Sequence, residues 1–205
     1  MISRRDFMRG AAGACGLVAF GGGARAFAQP APALLPPGAQ HDGFWERCIR
    51  CDRCRSACPR NAIGVAKLED GIVAARTPKM EFRIGWCDTC DGQWRCQQAC
   101  PTTALGNVGS FRPERDKLGL AVVDPDKCQT FGISAKCGLT CVDACPADAL
   151  SLDGEGRLVC NEAACWGCGA CEYVCPANAY RNFDGSTGRG VNVVPLNVEG
   201  APYER

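Results

Sequence analysis

Sixteen of the eighteen cysteines in this 205-residue chain stand in four groups of four. They are Cys48, Cys51, Cys54 and Cys58; Cys87, Cys90, Cys96 and Cys100; Cys128, Cys137, Cys141 and Cys145; and Cys165, Cys168, Cys171 and Cys175. Every group ends in Cys-Pro, at Pro59, Pro101, Pro146 and Pro176. In the first and last groups the spacing is C-x2-C-x2-C-x3-C-P, which turns three thiolates onto one face of a tight loop. A cubane [4Fe–4S] cluster needs that convergence. At four thiolates per cluster, the sixteen predict four [4Fe–4S] clusters, and with them one-electron chemistry. Two chemistries compete with this reading. Zinc would use two Cys-x2-Cys pairs and leave the third cysteine of a run surplus. A disulfide framework has no need of the regular interval.

The elements that must position these loops recur with them. After each Cys-Pro come two variable residues, an alanine and an apolar residue: Ala62-Ile63, Ala104-Leu105, Ala149-Leu150 and Ala179-Tyr180. Proline turns the chain out of the preceding helical turn, and a small alanine lets the backbone pass close to a cluster. The apolar residue then starts a strand. Ile63 and Val65, a turn at Glu69-Asp70-Gly71 and a return through Ile72-Val73-Ala74 read as a hairpin. Leu150 and Leu152, a turn over 153–156, then Leu158 and Cys160 repeat it. The fold expected is α+β, short helical turns and β-hairpins wrapped around inorganic cores, with little folding free energy of its own.

Where two such motifs share a fold, the fourth cysteine of each ligates the cluster of the other. Pairing the two regular motifs with each other, and the two irregular ones likewise, gives four expected sets. They are Cys48, Cys51, Cys54 with Cys175; Cys165, Cys168, Cys171 with Cys58; Cys87, Cys90, Cys96 with Cys145; and Cys128, Cys137, Cys141 with Cys100. Two cysteines remain, Cys15 in the leader and Cys160, which reads as a small buried thiol. Arg47, Arg50, Arg53, Arg55 and Arg60 interleave with the first motif, either as a docking face for an acidic partner or as an ordinary solvated surface. Trp45, Trp86, Trp94 and Trp166 lie near ligands and would shield them; the single histidine, His41, reads as a solvated loop residue. There is no Walker loop, dinucleotide-binding glycine motif or nucleophile–base pair, so no catalytic residues are expected.

Ser3-Arg4-Arg5-Asp6-Phe7-Met8, a mild Ala/Gly-rich stretch and Ala26-Phe27-Ala28 read as a twin-arginine leader over residues 1–28. That route exports proteins already folded with their cofactors, so a periplasmic protein is expected. A Pro-rich linker over 29–43, a cluster-binding domain over 44–182 and a C-terminal tail over 183–205 would follow. Without the leader the chain carries nineteen basic and twenty-one acidic residues, and that balance offers no field for nucleic acid.

The sequence resembles the NapG/MauM-type periplasmic ferredoxins. The resemblance runs through Pro36-Pro37-Gly38-Ala39, Cys48-Ile49-Arg50-Cys51, Ala57-Cys58-Pro59 and Thr77-Pro78. It continues through Lys117-Leu118-Gly119-Leu120-Ala121-Val122 and Cys165-Trp166-Gly167-Cys168. The resemblance implies a ferredoxin-like fold and the iron–sulfur component of a quinol dehydrogenase. A membrane-embedded NapH-like ferredoxin would supply electrons, and a periplasmic cytochrome c or nitrate reductase would receive them. Membrane association would be peripheral, through that partner alone. MauM-type relatives accompany methylamine utilisation, and a maturation or assembly factor is an alternative. An iron–sulfur subunit of a molybdopterin oxidoreductase is another, though in those the regular motif stands third rather than fourth.

Overall fold

The computed structural model describes residues 33–39, 43–132, 137–177 and 188–196. The twin-arginine motif, Cys15, His41 and Ala179-Tyr180 lie outside them. The described elements are short: helices α1 (Phe44–Arg47), α2 (Arg53–Ser56), α3 (Arg95–Gln98), α4 (Thr140–Asp143) and α5 (Ala170–Val174). Strands β1 (Ile63–Val65), β2 (Pro78–Met80), β3 (Leu120–Val123), β4 (Leu150–Leu152), β5 (Leu158–Cys160) and β6 (Val191–Val194) form three antiparallel pairs. Helices of one turn are far below the length that stands alone in water, so tertiary and ligand contacts must hold them. The expectation of small mixed α and β elements agrees with this architecture. Among the described residues no helix is long and apolar enough to cross a membrane.

The second hairpin forms as the pattern predicts, with Leu150 opposite Cys160 and Leu152 opposite Leu158. Its turn is fixed by Asp153, whose carboxylate accepts from the amides of Glu155 and Arg157. The first hairpin differs. The strand returning against β1 is Pro78–Met80, with Ile63 opposite Met80, and Ile72-Val73-Ala74 lies in turns. Leu68–Asp70 forms a 3-10 turn, after which Ile72 and Val73 point to solvent. Lys79 on β2 closes the loop by donating to both oxygens of Asp70. Alternating apolar residues marked a strand there, but burial selects Met80 and leaves Val73 out.

Two boundaries also need correction. The expected linker is docked: Pro36, Pro37 and Ala39 are buried, and the Met80 amide donates to the Leu34 carbonyl. Gly38 has φ +84°, and a Cβ there would meet the Leu105 carbonyl oxygen at 2.0 Å. The chain lies that close because Gln97, buried on α3, donates to the Pro37 and Leu105 carbonyls and accepts from the Gly109 amide. At the other end, the expected tail contains β6, which pairs along its whole length with β3, from Leu120 opposite Val194 to Val123 opposite Val191. All four β6 residues are buried. Glycines around this strand hid it in the sequence; Val191, Val193 and Val194 supply the apolar run.

Candidate metal centre

Four helices each carry the third cysteine of a group at their second residue: Cys54 on α2, Cys96 on α3, Cys141 on α4 and Cys171 on α5. The residue before each helix is left-handed, Asp52 (φ 60°), Trp94 (φ 51°), Leu139 (φ 54°) and Gly169 (φ 80°). Only one is glycine; elsewhere this conformation costs about 1–2 kcal/mol. The Cys-Pro turns match one another as closely. The amides of Asn61, Thr103 and Asp148 donate back to the carbonyls of Cys58, Cys100 and Cys145 at 3.3, 3.4 and 3.3 Å. These three residues are also left-handed, with φ of 53°, 52° and 47°. Each turn delivers its alanine into the interior: Ala62, Ala104 and Ala149 are 1–2% exposed. The irregular spacing of the second group is absorbed before the third cysteine, in the 3-10 turn Thr89–Gly92; in the third group the long interval runs from Cys128 to Cys137 and lies partly outside the described residues.

The cysteines converge in fours, but not in the expected fours. Cys48, Cys51, Cys54 and Cys100 line one hollow, Cys128, Cys137, Cys141 and Cys175 another, and Cys145, Cys165, Cys168 and Cys171 a third. Cys58 lies among Cys87, Cys90 and Cys96. The fourth cysteine of each motif therefore crosses to its neighbour in sequence, first with second and third with fourth. The expected partners Cys175, Cys58, Cys145 and Cys100 are all reassigned. Similar spacing misled the pairing; what decides it is that α2 packs on α3 and α4 on α5.

The donor sets fit cubanes better than single ions. A tetrahedral zinc with bonds of 2.3 Å would draw its sulfurs to about 3.8 Å apart. Among the described residues no three Cys, His, Asp or Glu side chains converge tightly enough to share one metal ion. The seventeen described cysteines are all free thiols, so none is used in a disulfide. Each hollow is walled by its sulfurs and by apolar neighbours, and backbone N–H groups reach the sulfurs, that of Arg55 at Cys54 and that of Ala170 at Cys168. The Ala149 amide donates to Cys145 Sγ at 3.3 Å, and this is the alanine of the repeat. At Cys100 burial opposes ionisation, yet the Leu105 amide and the Thr102 hydroxyl hold the thiol below its ordinary value.

Elsewhere burial dominates. It pushes Cys54, Cys96 and Cys168 up to about 12 and Cys141 to about 11, and it holds Cys87 and Cys171 well above the ordinary thiol value. Neighbouring thiolates add to the rise at each of them. Thiolates crowded in a dry hollow need bound cations to stay ionised.

The quartets lie in sequence through the protein. Cys96 of the Cys58 quartet feels the charge of Cys54 in the Cys100 quartet. The Cys87 amide donates to the Cys168 carbonyl at 2.9 Å, joining the Cys58 quartet to the Cys145 quartet. Helix α5 carries Cys171 of the Cys145 quartet at its second residue and runs into Cys175 of the last. The tryptophans divide. Trp94 and Trp166 are buried and both pack on Phe111, edge-to-face at 5.7 Å and tilted at 6.2 Å between centroids. Trp86 is half-buried under the Arg60 guanidinium, whereas Trp45 is exposed and shields little.

Two site residues escaped sequence reasoning. Cys160, expected to be an inert packing thiol, donates to the sulfur of Cys165, which holds Cys165 well below and Cys160 far above the usual thiol range. Arg189, in the segment read as tail, is buried and donates to the carbonyls of Tyr173 and Cys175. Neither carries a spacing signal.

The 4Fe-4S dicluster domain matches this chain twice, over residues 47–104 and 127–179, and each match spans two neighbouring cysteine motifs. The ferredoxin-type protein NapG of Escherichia coli strain K12 is 33% identical over 69% of this chain and 65% of its own length. The chain thus spans about two thirds of that relative. The methylamine utilization ferredoxin-type protein MauM of Paracoccus denitrificans is 35% identical over 85% of this chain and 83% of its own length. A chain in a formate dehydrogenase – heterodisulfide reductase – formylmethanofuran dehydrogenase complex from Methanospirillum hungatei aligns at 22% identity over 65% of this chain and 46% of its own. Its TM-score of 0.24 is too slight a likeness to bear on the fold. The dicluster domains bind 4Fe-4S clusters and give the protein an iron–sulfur electron-transfer role. With both domains in place and likeness to MauM along most of its length, the chain belongs to the NapG/MauM family of ferredoxin-type proteins.

Proposed function

We propose that this protein is a four-cluster electron conductor working in the periplasm, between a membrane quinol-oxidising partner of the NapH type and a periplasmic cytochrome c or reductase. The observation that carries it is the procession of cysteine quartets, led by Cys48, Cys58, Cys145 and Cys128, each adjoining the next. Bound [4Fe–4S] clusters would each supply a one-electron site. The chain's own residues fix where those sites stand, exclude water with Phe44, Phe111 and Trp166, and present amide donors to the sulfurs. Hydrogen bonds of that kind set cluster potentials. The twin-arginine sequence Arg4-Arg5 supports export of the loaded protein, and the family relatives support a place in a redox complex.

Anaerobically purified protein should contain about sixteen irons, four per quartet. Its clusters should be reduced by quinol only when membranes containing the partner are added. Zinc in place of iron, or quinol reduction that ignores the membrane partner, would overturn the reading. Replacing Arg4 and Arg5 by Lys should leave loaded protein in the cytoplasm; undiminished export would remove the periplasm from the proposal.

A further inference from the structure

Cys51 is the one exposed cysteine among the described residues; the others are half-buried or buried. If electrons cross between proteins, they leave from the sulfur nearest solvent, because transfer falls steeply with separation. Around Cys51 the surface is unusual for one so small. Ile49, which lines the same hollow as Cys51, is 61% exposed, and Trp45, packed on Phe44 at the edge of that hollow, is 48% exposed. Arg47 at the end of α1 and Arg53 and Arg55 on α2 are exposed, and none makes an ion pair among the described residues. Nearby arginines outside this set are engaged: Arg60 with Asp88, Arg76 with Asp52, and Arg50 with the Val73 carbonyl.

The described residues are polarised in the same sense. Residues 44–118 hold thirteen Arg and Lys against nine Asp and Glu, whereas the described residues between 119 and 196 hold three against eight. The Cys51 quartet sits at the positive end of the row, and the Cys128 quartet at the negative end.

We infer that the face around Cys51 is an electron port that docks an acidic redox protein, with Trp45 and Ile49 forming an apolar centre inside a rim of Arg47, Arg53 and Arg55. This deepens the electron-transfer reading above and rests on it. Charge on the rim steers the encounter and fixes orientation, and the apolar centre excludes water where the two redox centres approach. The negative half of the protein turns the same partner away from the opposite end.

The test uses cluster-loaded protein and flavodoxin, a small acidic redox protein, as the probe, with basic cytochrome c as its opposite. Binding is measured at low ionic strength, independently of potentials. Flavodoxin should bind the native protein, and binding should weaken as salt rises. The R47E/R53E/R55E variant should bind at least tenfold more weakly, and R157E, in the other half, as well as the native protein does. If the charge reversal impairs folding, the R47Q/R53Q/R55Q variant should still lose binding several-fold. Equal binding by native and charge-reversed proteins, or native binding of cytochrome c in preference to flavodoxin at this face, overturns the port. Iron content and the reduced-state electron paramagnetic resonance spectrum of the same samples report separately on the electron-transfer reading. Loss of flavodoxin binding with clusters intact confirms the port, and native protein without clusters sinks the broader reading instead.

Discussion

The backbone amide of Cys87 donates to the carbonyl of Cys168 across 2.9 Å, so the two dicluster halves are joined by ligand-bearing residues. Two glycines make this approach possible. At Gly167 a Cβ would lie 2.5 Å from backbone atoms of Gly119, and at Gly169 it would lie 2.1 Å from the Phe82 ring. Both residues have φ near +80°, so a side chain would be strained as well as crowded.

Gly169→Ala should therefore part the halves. The expected cost is roughly 2–4 kcal/mol, from overpacking against Phe82 and from the left-handed backbone. Thermal unfolding of the loaded protein measures it. Adding Phe82→Ala should recover part of the loss by removing the crowding, and a double variant no better than the single one would show that the ring is not the obstacle.

The regrouping of ligands separates two pairs of substitutions. Cys51→Ser with Cys100→Ser strikes one quartet twice, and should cost about four irons of sixteen. Cys51→Ser with Cys175→Ser strikes two quartets and should cost about eight. The pairing expected from motif similarity gives the reverse order, so iron analysis of the two double variants decides between them.

Cys160 is a donor to a ligand rather than a ligand. Replacing it by Ala should leave the iron count unchanged and lower the potential of the cluster held by Cys145, Cys165, Cys168 and Cys171. A hydrogen bond with a net value of about 1 kcal/mol corresponds to about 40 mV for a one-electron couple. Cys160→Ser, which keeps a donor, should restore most of the shift in a potentiometric titration followed by electron paramagnetic resonance. An unmoved potential in the Ala variant would return Cys160 to simple packing.

Iron removal should unfold the protein. Its described helices are single turns, and eleven non-glycine residues among those described hold positive φ, from Arg50 to Asp148. Those strains and the buried thiols need the cations for compensation. Chelation should abolish the far-ultraviolet circular dichroism of structured protein and the dispersion of its amide resonances together. Retained dispersion after complete iron loss would show a core that stands without its clusters.

Much of this was legible in the sequence because ligand chemistry is local. A third and fourth cysteine with three residues between them, then proline, then two residues and an alanine, describe a turn that Cys58, Cys100 and Cys145 all adopt. The hairpin at Leu150–Cys160 was likewise carried by alternation and a turn sequence. Where a choice depended on what packs on what, reading failed. Val73 and Met80 compete equally as a strand by residue type, and only burial separates them. The Gly-rich segment around Val191 looked like a tail because nothing local announces its partner strand, Leu120–Val123, about seventy residues earlier.

Residue types and intervals alone determined that this chain gathers thiolates in fours for iron, since the geometry of a cubane is written in short spacings. Which thiolates share a hollow was settled by the tertiary structure, through the packing of α2 on α3 and α4 on α5. So were the docking of Pro36-Pro37 and the exposure of Cys51. Those are long-range contacts, fixed by which surfaces exclude water together, and no interval between neighbouring residues records them.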